Sequence, residues 1–306
     1  MHQHIVNNKR KTFLFLILFI AVIAVVAYAI GLVIGHVSPY IIMTIGLVFS
    51  LFGSVISYYH SDKIVLKMAG AVPVDKMKEP HLYNTIEGVS MAAGIPTPKM
   101  YIIENSVPNA FATGRNPENG VVAVTRGLLD LMNREELEGV IAHEIGHIKN
   151  YDILYATIVA VMAGVLVFLS QMTLRSMFWG GMTGRRNSRS SSGGKGGSNP
   201  ILMVVGIILI ILAPIFARIL QFAMSRNREY LADATAAGII GYPMGLASAL
   251  EKLHQRNTPK IAKDNQFDNN AITALCIVNP LSAGAVANIF STHPPLDQRM
   301  ERLKKM

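Results

Sequence analysis

The chain has 306 residues, enough for one or two domains, but 51% are hydrophobic and only 15% charged. With a mean hydropathy of +0.37, that composition argues against a purely soluble protein. The net charge of +9 comes with no basic stripe interleaved with aromatics, which excludes a nucleic-acid partner, and the single cysteine, Cys276, excludes an internal disulfide.

The apolar residues cluster. Residues 12–35 and 37–59 carry no charge, and neither do 153–171 and 201–217. About 20 apolar residues cross a bilayer core, so the first two runs are predicted to span. The last two are shorter and fit either full spans or a re-entrant hairpin. The first run is longer than the roughly 7–15 residues of a signal-sequence core and has no small-residue cleavage site after it, so it is expected to be retained as an anchor. Lys9-Arg10-Lys11 is expected to hold the polar N-terminus in the cytoplasm. The turn at His36-Val-Ser-Pro39 returns the chain to that side, where Lys63 and Lys67 follow.

Residues 61–152 read as soluble protein. A helix is predicted from Pro80 to Gly94, a strand from Lys99 to Ile103, and a turn-rich stretch from Asn105 to Gly120. A second strand follows at Val121–Thr125. Asn133-Arg-Glu-Glu136 has the form of a capping box and opens the next helix. Residues 175–199 form a Ser/Gly-rich linker with five basic residues and no acid. On the outer face it would run against the positive-inside tendency, so the 153–222 hairpin remains open between spanning and re-entrant forms. A helix of small residues and a mixed region complete the chain over 223–306.

The helix begun at Asn133 carries His143-Glu-Ile-Gly-His147. Residues four apart share a helix face, so both imidazoles can reach one ion, with Glu144 beside them to activate a water. This is the arrangement of zinc metalloproteases. Catalytic zinc takes a third protein ligand and keeps a position open. Glu229 in Arg228-Glu-Tyr-Leu-Ala-Asp233 fits; a surface ion pair with Arg226 or Arg228 fits the spacing equally well. Asp233, one turn further on, is placed to accept a hydrogen bond from a ligand histidine. Two membrane crossings, or none, between His147 and Glu229 leave both on one side.

The same residues, in this order and with Pro108-Asn-Ala-Phe-Ala112 and Thr292-His-Pro-Pro295, resemble the HtpX family of membrane-bound zinc metalloproteases, relatives of the CAAX prenyl proteases. The resemblance runs over nearly the whole chain and implies one Zn2+ held by His143, His147 and Glu229. It further implies a peptide-binding strand edge at Asn109, Ala110 and Phe111, and an oxyanion-steadying role for His293. It also implies an Arg299 paired with an acid near the site, Asp233 being the candidate. A Pro108 turn, a structural His-Pro turn and a solvated helix charge are the plain alternatives for these three. The implied fold is mainly α: about four transmembrane helices in two hairpins (1–60 and 153–222) and a cytoplasmic α+β protease domain with a short β-sheet. The implied function is hydrolysis of misfolded or damaged membrane proteins, or other unfolded polypeptides, in the bacterial plasma membrane, as quality control under stress. A CAAX-type prenyl protease would need more spans for its chamber. A non-catalytic metal-binding scaffold would have no use for Glu144.

Overall fold

The structure, a computed structural model, describes residues 2–34, 37–162, 208, 226–256, 275–277 and 294–306. The linker at 175–199, most of the second apolar hairpin and His293 lie outside the described residues.

Two long helices come first, α1 (His2–Ile34) and α2 (Pro39–Met68), packed against each other. Both are long and apolar enough to cross a membrane. Helix α1 begins earlier than the polar N-terminal segment suggests. Lys and Arg favour helix, so Lys9-Arg10-Lys11 is carried as its early turns. The two helices are inside out relative to a soluble pair. Ser50, Ser54, Ser57 and Ser61 form the buried stripe of α2, while Phe49 and Phe52 are 79% and 66% exposed. Small residues inside and large apolar residues outside suit a lipid surround, where close backbone approach drives helix association.

The sheet has four strands in the order β1-β2-β4-β3. They are β1 (Val72–Pro73), β2 (Lys99–Ile103), β3 (Ala110–Gly114) and β4 (Gly120–Thr125). β2 and β4 run parallel; β1 and β3 are antiparallel to their neighbours. β2 and β4 match the predicted strands closely. β3 lies within the stretch predicted as turns. Its Ala-Phe-Ala-Thr-Gly sequence carries little β-branched signal, and it is fixed by pairing over its whole length with residues 120–124 of β4.

Helix α3 (Pro80–Ala93) lies between β1 and β2; α4 (Arg126–Leu131) and α5 (Arg134–Lys149) follow β4, and then α6 (Asp152–Met162). Beyond residue 225 come α7 (Arg226–Ile240), α8 (Pro243–Arg256) and α9 (Leu296–Leu303). The sheet divides two apolar layers. Met100, Ile102, Val122 and Val124 point to α3, α5 and α8. Ile103, Phe111, Val121 and Ala123 point to α1, α2 and α6. Alternation of side chains along a strand sends successive residues of β4 to opposite layers. Because both faces are covered, all six of its residues are buried.

Helix α5 runs through the middle of this assembly. Its capping box is present as predicted: the Asn133 side chain accepts from Glu136 N, and Glu136 accepts from Asn133 N, both at 2.9 Å. The Glu136 carboxylate also accepts from Ser248 Oγ and Lys252 Nζ, each at 2.7 Å, tying α5 to α8. Burial opposes its ionisation, but Lys252, the cap amide and Ser248 outweigh it and lower the pKa. The stabilisation is therefore present above the unfolded-state value and fades as pH falls through the folded one. Glu136→Ala is expected to cost about 2–3 kcal/mol at pH 7, with the deficit shrinking in acid, as read by thermal unfolding in detergent at several pH values. A Cβ at Gly139 would meet Leu246 N at 2.5 Å, so only glycine lets α8 come this close.

Candidate metal centre

His143 and His147 lie on the buried face of α5, 1% and 9% exposed. Their Nε2 atoms are 3.2 Å apart. Glu229, from the first turn of α7, is 1% exposed and faces them. Its Oε2 is 3.6 Å from His143 Nε2 and its Oε1 is 3.5 Å from His147 Nε2. A surface ion pair does not describe a carboxylate buried this far. Gly146 helps to bring α7 in: a Cβ there would stand 3.3 Å from Ala232 O. All three donor groups lie within 4.8 Å of one another.

This donor set fits a metal ion. A tetrahedral ion with bonds of about 2.1 Å spaces its donors about 3.4 Å apart. The separations of 3.2, 3.5 and 3.6 Å bracket that value. Two imidazoles and a carboxylate are also the ligand types such an ion takes.

Behind the three donors is a second layer of charge. Asp233 Oδ1 accepts from His143 Nδ1 at 3.0 Å. Arg299, in α9 and 0% exposed, grips Asp233 with both ends of its fork: Nε to Oδ2 at 2.9 Å and Nη2 to Oδ1 at 2.7 Å. Its Nη1 is 3.5 Å from Glu229 Oε2. The guanidinium thus braces two acids from α7, as a buried charge must be braced to be tolerated. Burial works against ionising Asp233, but Arg299 and His143 prevail and its pKa falls to about 2. Burial and Arg299 work against protonating His143, but Asp233 and Glu229 prevail and its pKa rises to about 9. A metal ion binds the neutral imidazole, so its binding would compete with protonation of His143.

The sequence reading missed one partner. Asp152 Oδ2 stands 3.1 Å from His147 Nδ1. A carboxylate only accepts, so Nδ1 carries the proton and Nε2 turns its lone pair to the other donors. Asp152 sits five residues beyond His147, past the end of α5, so no helical spacing points to it. An acid just after the basic end of a helix was the one available signal.

Glu144 is 2% exposed. It lines a cleft with His147 and Glu229, closed by Ala112, Ala156, Arg228 and Leu275. Arg228 stacks over the Tyr155 ring at 5.7 Å. Of strand β3 it is Ala112 that reaches this wall. Asn109 is buried with its backbone N–H donating to Thr125 Oγ1 at 2.8 Å. Ala110 O accepts from Ile277 N at 2.9 Å, and Phe111 turns to the layer against α1 and α2. Cys276 is fully buried, and burial pushes its thiol pKa up, with the charge of Glu144 adding to the effect.

Residues 76–306 match the family model described as Peptidase family M48. The chain is 45% identical to a protease HtpX homolog of Dictyoglomus turgidum, covering 100% of this chain and 94% of that protein. It is also 45% identical to a protease HtpX homolog of Thermococcus sibiricus, over 91% of this chain and 90% of the relative. Among solved structures, S. mikatae Ste24p aligns with a TM-score of 0.49 at 19% identity, covering 99% of this chain and 67% of that one.

Proposed function

The chain belongs to peptidase family M48 and is a metalloprotease; on that footing we propose a membrane-anchored zinc endopeptidase that cuts unfolded or damaged membrane proteins at the cytoplasmic face. The observation that carries the reading is the convergence of His143, His147 and Glu229 beside the buried carboxylate of Glu144. Those three residues would hold one zinc ion. When bound, it supplies Lewis acidity and a water whose pKa is lowered to about 7. Glu144 takes the proton of the attacking water and later hands it to the leaving amine. Asp233 and Asp152 keep the two imidazoles in the tautomer that turns Nε2 inward. His293 would steady the oxyanion. An extended substrate would run past β3, with Ala112 in the cleft wall and Asn109, Ala110 and Phe111 next to it. Ala110 O would exchange its bond from Ile277 for one from the peptide.

The cytoplasmic, multi-pass arrangement in a bacterial plasma membrane is supported by the basic residues at the outer ends of the two long helices, Lys9-Arg10-Lys11 in the early turns of α1 and Lys63 and Lys67 near the end of α2. The second apolar hairpin would then return Glu229 to the side of His147. A role in membrane-protein quality control follows from the resemblance to the HtpX proteases. Detergent-purified, zinc-loaded protein is expected to degrade casein. A chelator should reduce cutting to background, and added zinc should restore it. Cutting indifferent to the chelator would overturn the reading.

A further inference from the structure

The first membrane helix reaches the metal site. Asn8, two turns into α1, is only 4% exposed. Its Nδ2 donates to Asp152 Oδ1 at 2.7 Å and lies 3.4 Å from Asn150 O. The other oxygen of Asp152 is the one that holds His147 Nδ1. A continuous chain of side chains therefore runs from α1 through Asp152 to a metal ligand, bridging 144 positions of sequence between Asn8 and Asp152.

The turn that presents Asp152 is closed by its own backbone bonds, Asn150 N to Gly146 O and Tyr151 N to Ile148 O, but it holds a strained residue. Tyr151, between α5 and α6, has φ 58, the one non-glycine residue in the left-handed region among the described residues. A bulky side chain there is costly and persists only where its surroundings fix it. Helix α1 supplies part of that fixing. Lys9 Nζ lies 4.6 Å over the Tyr151 ring, and Phe15 meets Tyr155 edge-on at 6.2 Å. Thr12 Oγ1 donates to Asn8 O at 2.9 Å on the same face of α1. A buried amide at the mouth of a membrane helix is expensive unless it is hydrogen-bonded, and here its donor is spent on a carboxylate of the site.

We propose that α1 is a working part of the metal centre, with Asn8 as a positioning residue that fixes Asp152 and so keeps His147 turned toward the ion. The inference rests on the reading of His143, His147 and Glu229 as a metal site. The anchor then has a second task besides attachment: a shift of α1 against the α5–α6 turn changes the hold on His147.

The test is zinc affinity, measured on full-length protein in detergent by competition with a chromophoric chelator. Partners that orient a metal ligand typically contribute about 10–100-fold in affinity. Asp152→Ala should lose about that much, and Asn8→Leu, one step further out, about three- to tenfold. Thr12→Val, on the same face but without contact to Asp152, should bind within about twofold of wild type. The double variant Asn8→Leu/Asp152→Ala should bind no more weakly than Asp152→Ala alone, since Asn8 acts through Asp152. A purely structural role for Asn8 would multiply the two losses. If Asn8→Leu does not fold, as judged by gel filtration and metal-free unfolding, Asn8→Ala takes its place. Unchanged zinc affinity in the folded Asn8 variant, or multiplied losses in the double variant, overturns the proposal alone. A wild-type protein that binds no zinc overturns the metal-site reading and this inference with it.

Discussion

Glu144→Gln is expected to lower casein hydrolysis by about 10²–10⁴-fold, the range that general acid–base groups contribute, while zinc content and affinity stay near wild type. The two halves of this result come from different atoms. The donors that converge are the two Nε2 atoms and the Glu229 carboxylate; Glu144 lies beside them in the cleft wall. Glutamine keeps the size of the side chain and can accept a hydrogen bond, but it cannot take up a proton at neutral pH. A parallel loss of zinc would move Glu144 into the ligand set. Full activity in the variant would remove it from the reaction. Metal analysis and a protease assay on the same preparation distinguish these outcomes.

Arg299→Leu is expected to be the most damaging single change to the metal-free protein. The guanidinium is fully buried and makes a two-pronged contact with Asp233 while facing Glu229. Leucine fills part of the space and leaves two carboxylates of α7 with His143 as their remaining shared partner in place of the guanidinium. Breaking one side of a buried pair in this way costs about 3–5 kcal/mol. Saturating zinc should recover part of the loss, since an ion that binds only the folded state stabilises it and supplies positive charge beside Glu229. Denaturant unfolding with and without zinc measures both quantities. A loss below about 1 kcal/mol in the metal-free protein would mean that Asp233 is neutralised some other way.

How much of this was legible beforehand depended on how local each signal is. The Asn133–Glu136 box, the β2 and β4 strands and the helix closing at Gly94 are written in adjacent residues, and the structure has them where the sequence puts them. The pairing of His143 with His147 is equally local, a matter of one helical turn. Glu229 is far away in sequence. Spacing alone left it even with a surface ion pair, and the resemblance to known proteases decided it. Composition hid β3, whose alanines and glycine dilute the β signal of Phe111 and Thr113 and whose conformation is dictated by β4; only the resemblance pointed to a strand edge there. Asp152 and Asn8 were out of reach for a different reason. Their contact depends on a left-handed tyrosine and on the docking of α1 against α6, neither of which leaves a mark on neighbouring residues.

The sheet belongs to two bodies at once. One face completes the globular half of the enzyme, and the other is roofed by α1, α2 and α6. Cutting away the anchor to obtain a water-soluble fragment would strip the cover from Phe111, Val121 and Ala123 and leave a sticky wall one strand from the cleft. Biochemistry on such a fragment would describe a damaged molecule, and the two long apolar helices belong in every preparation from which turnover numbers are taken.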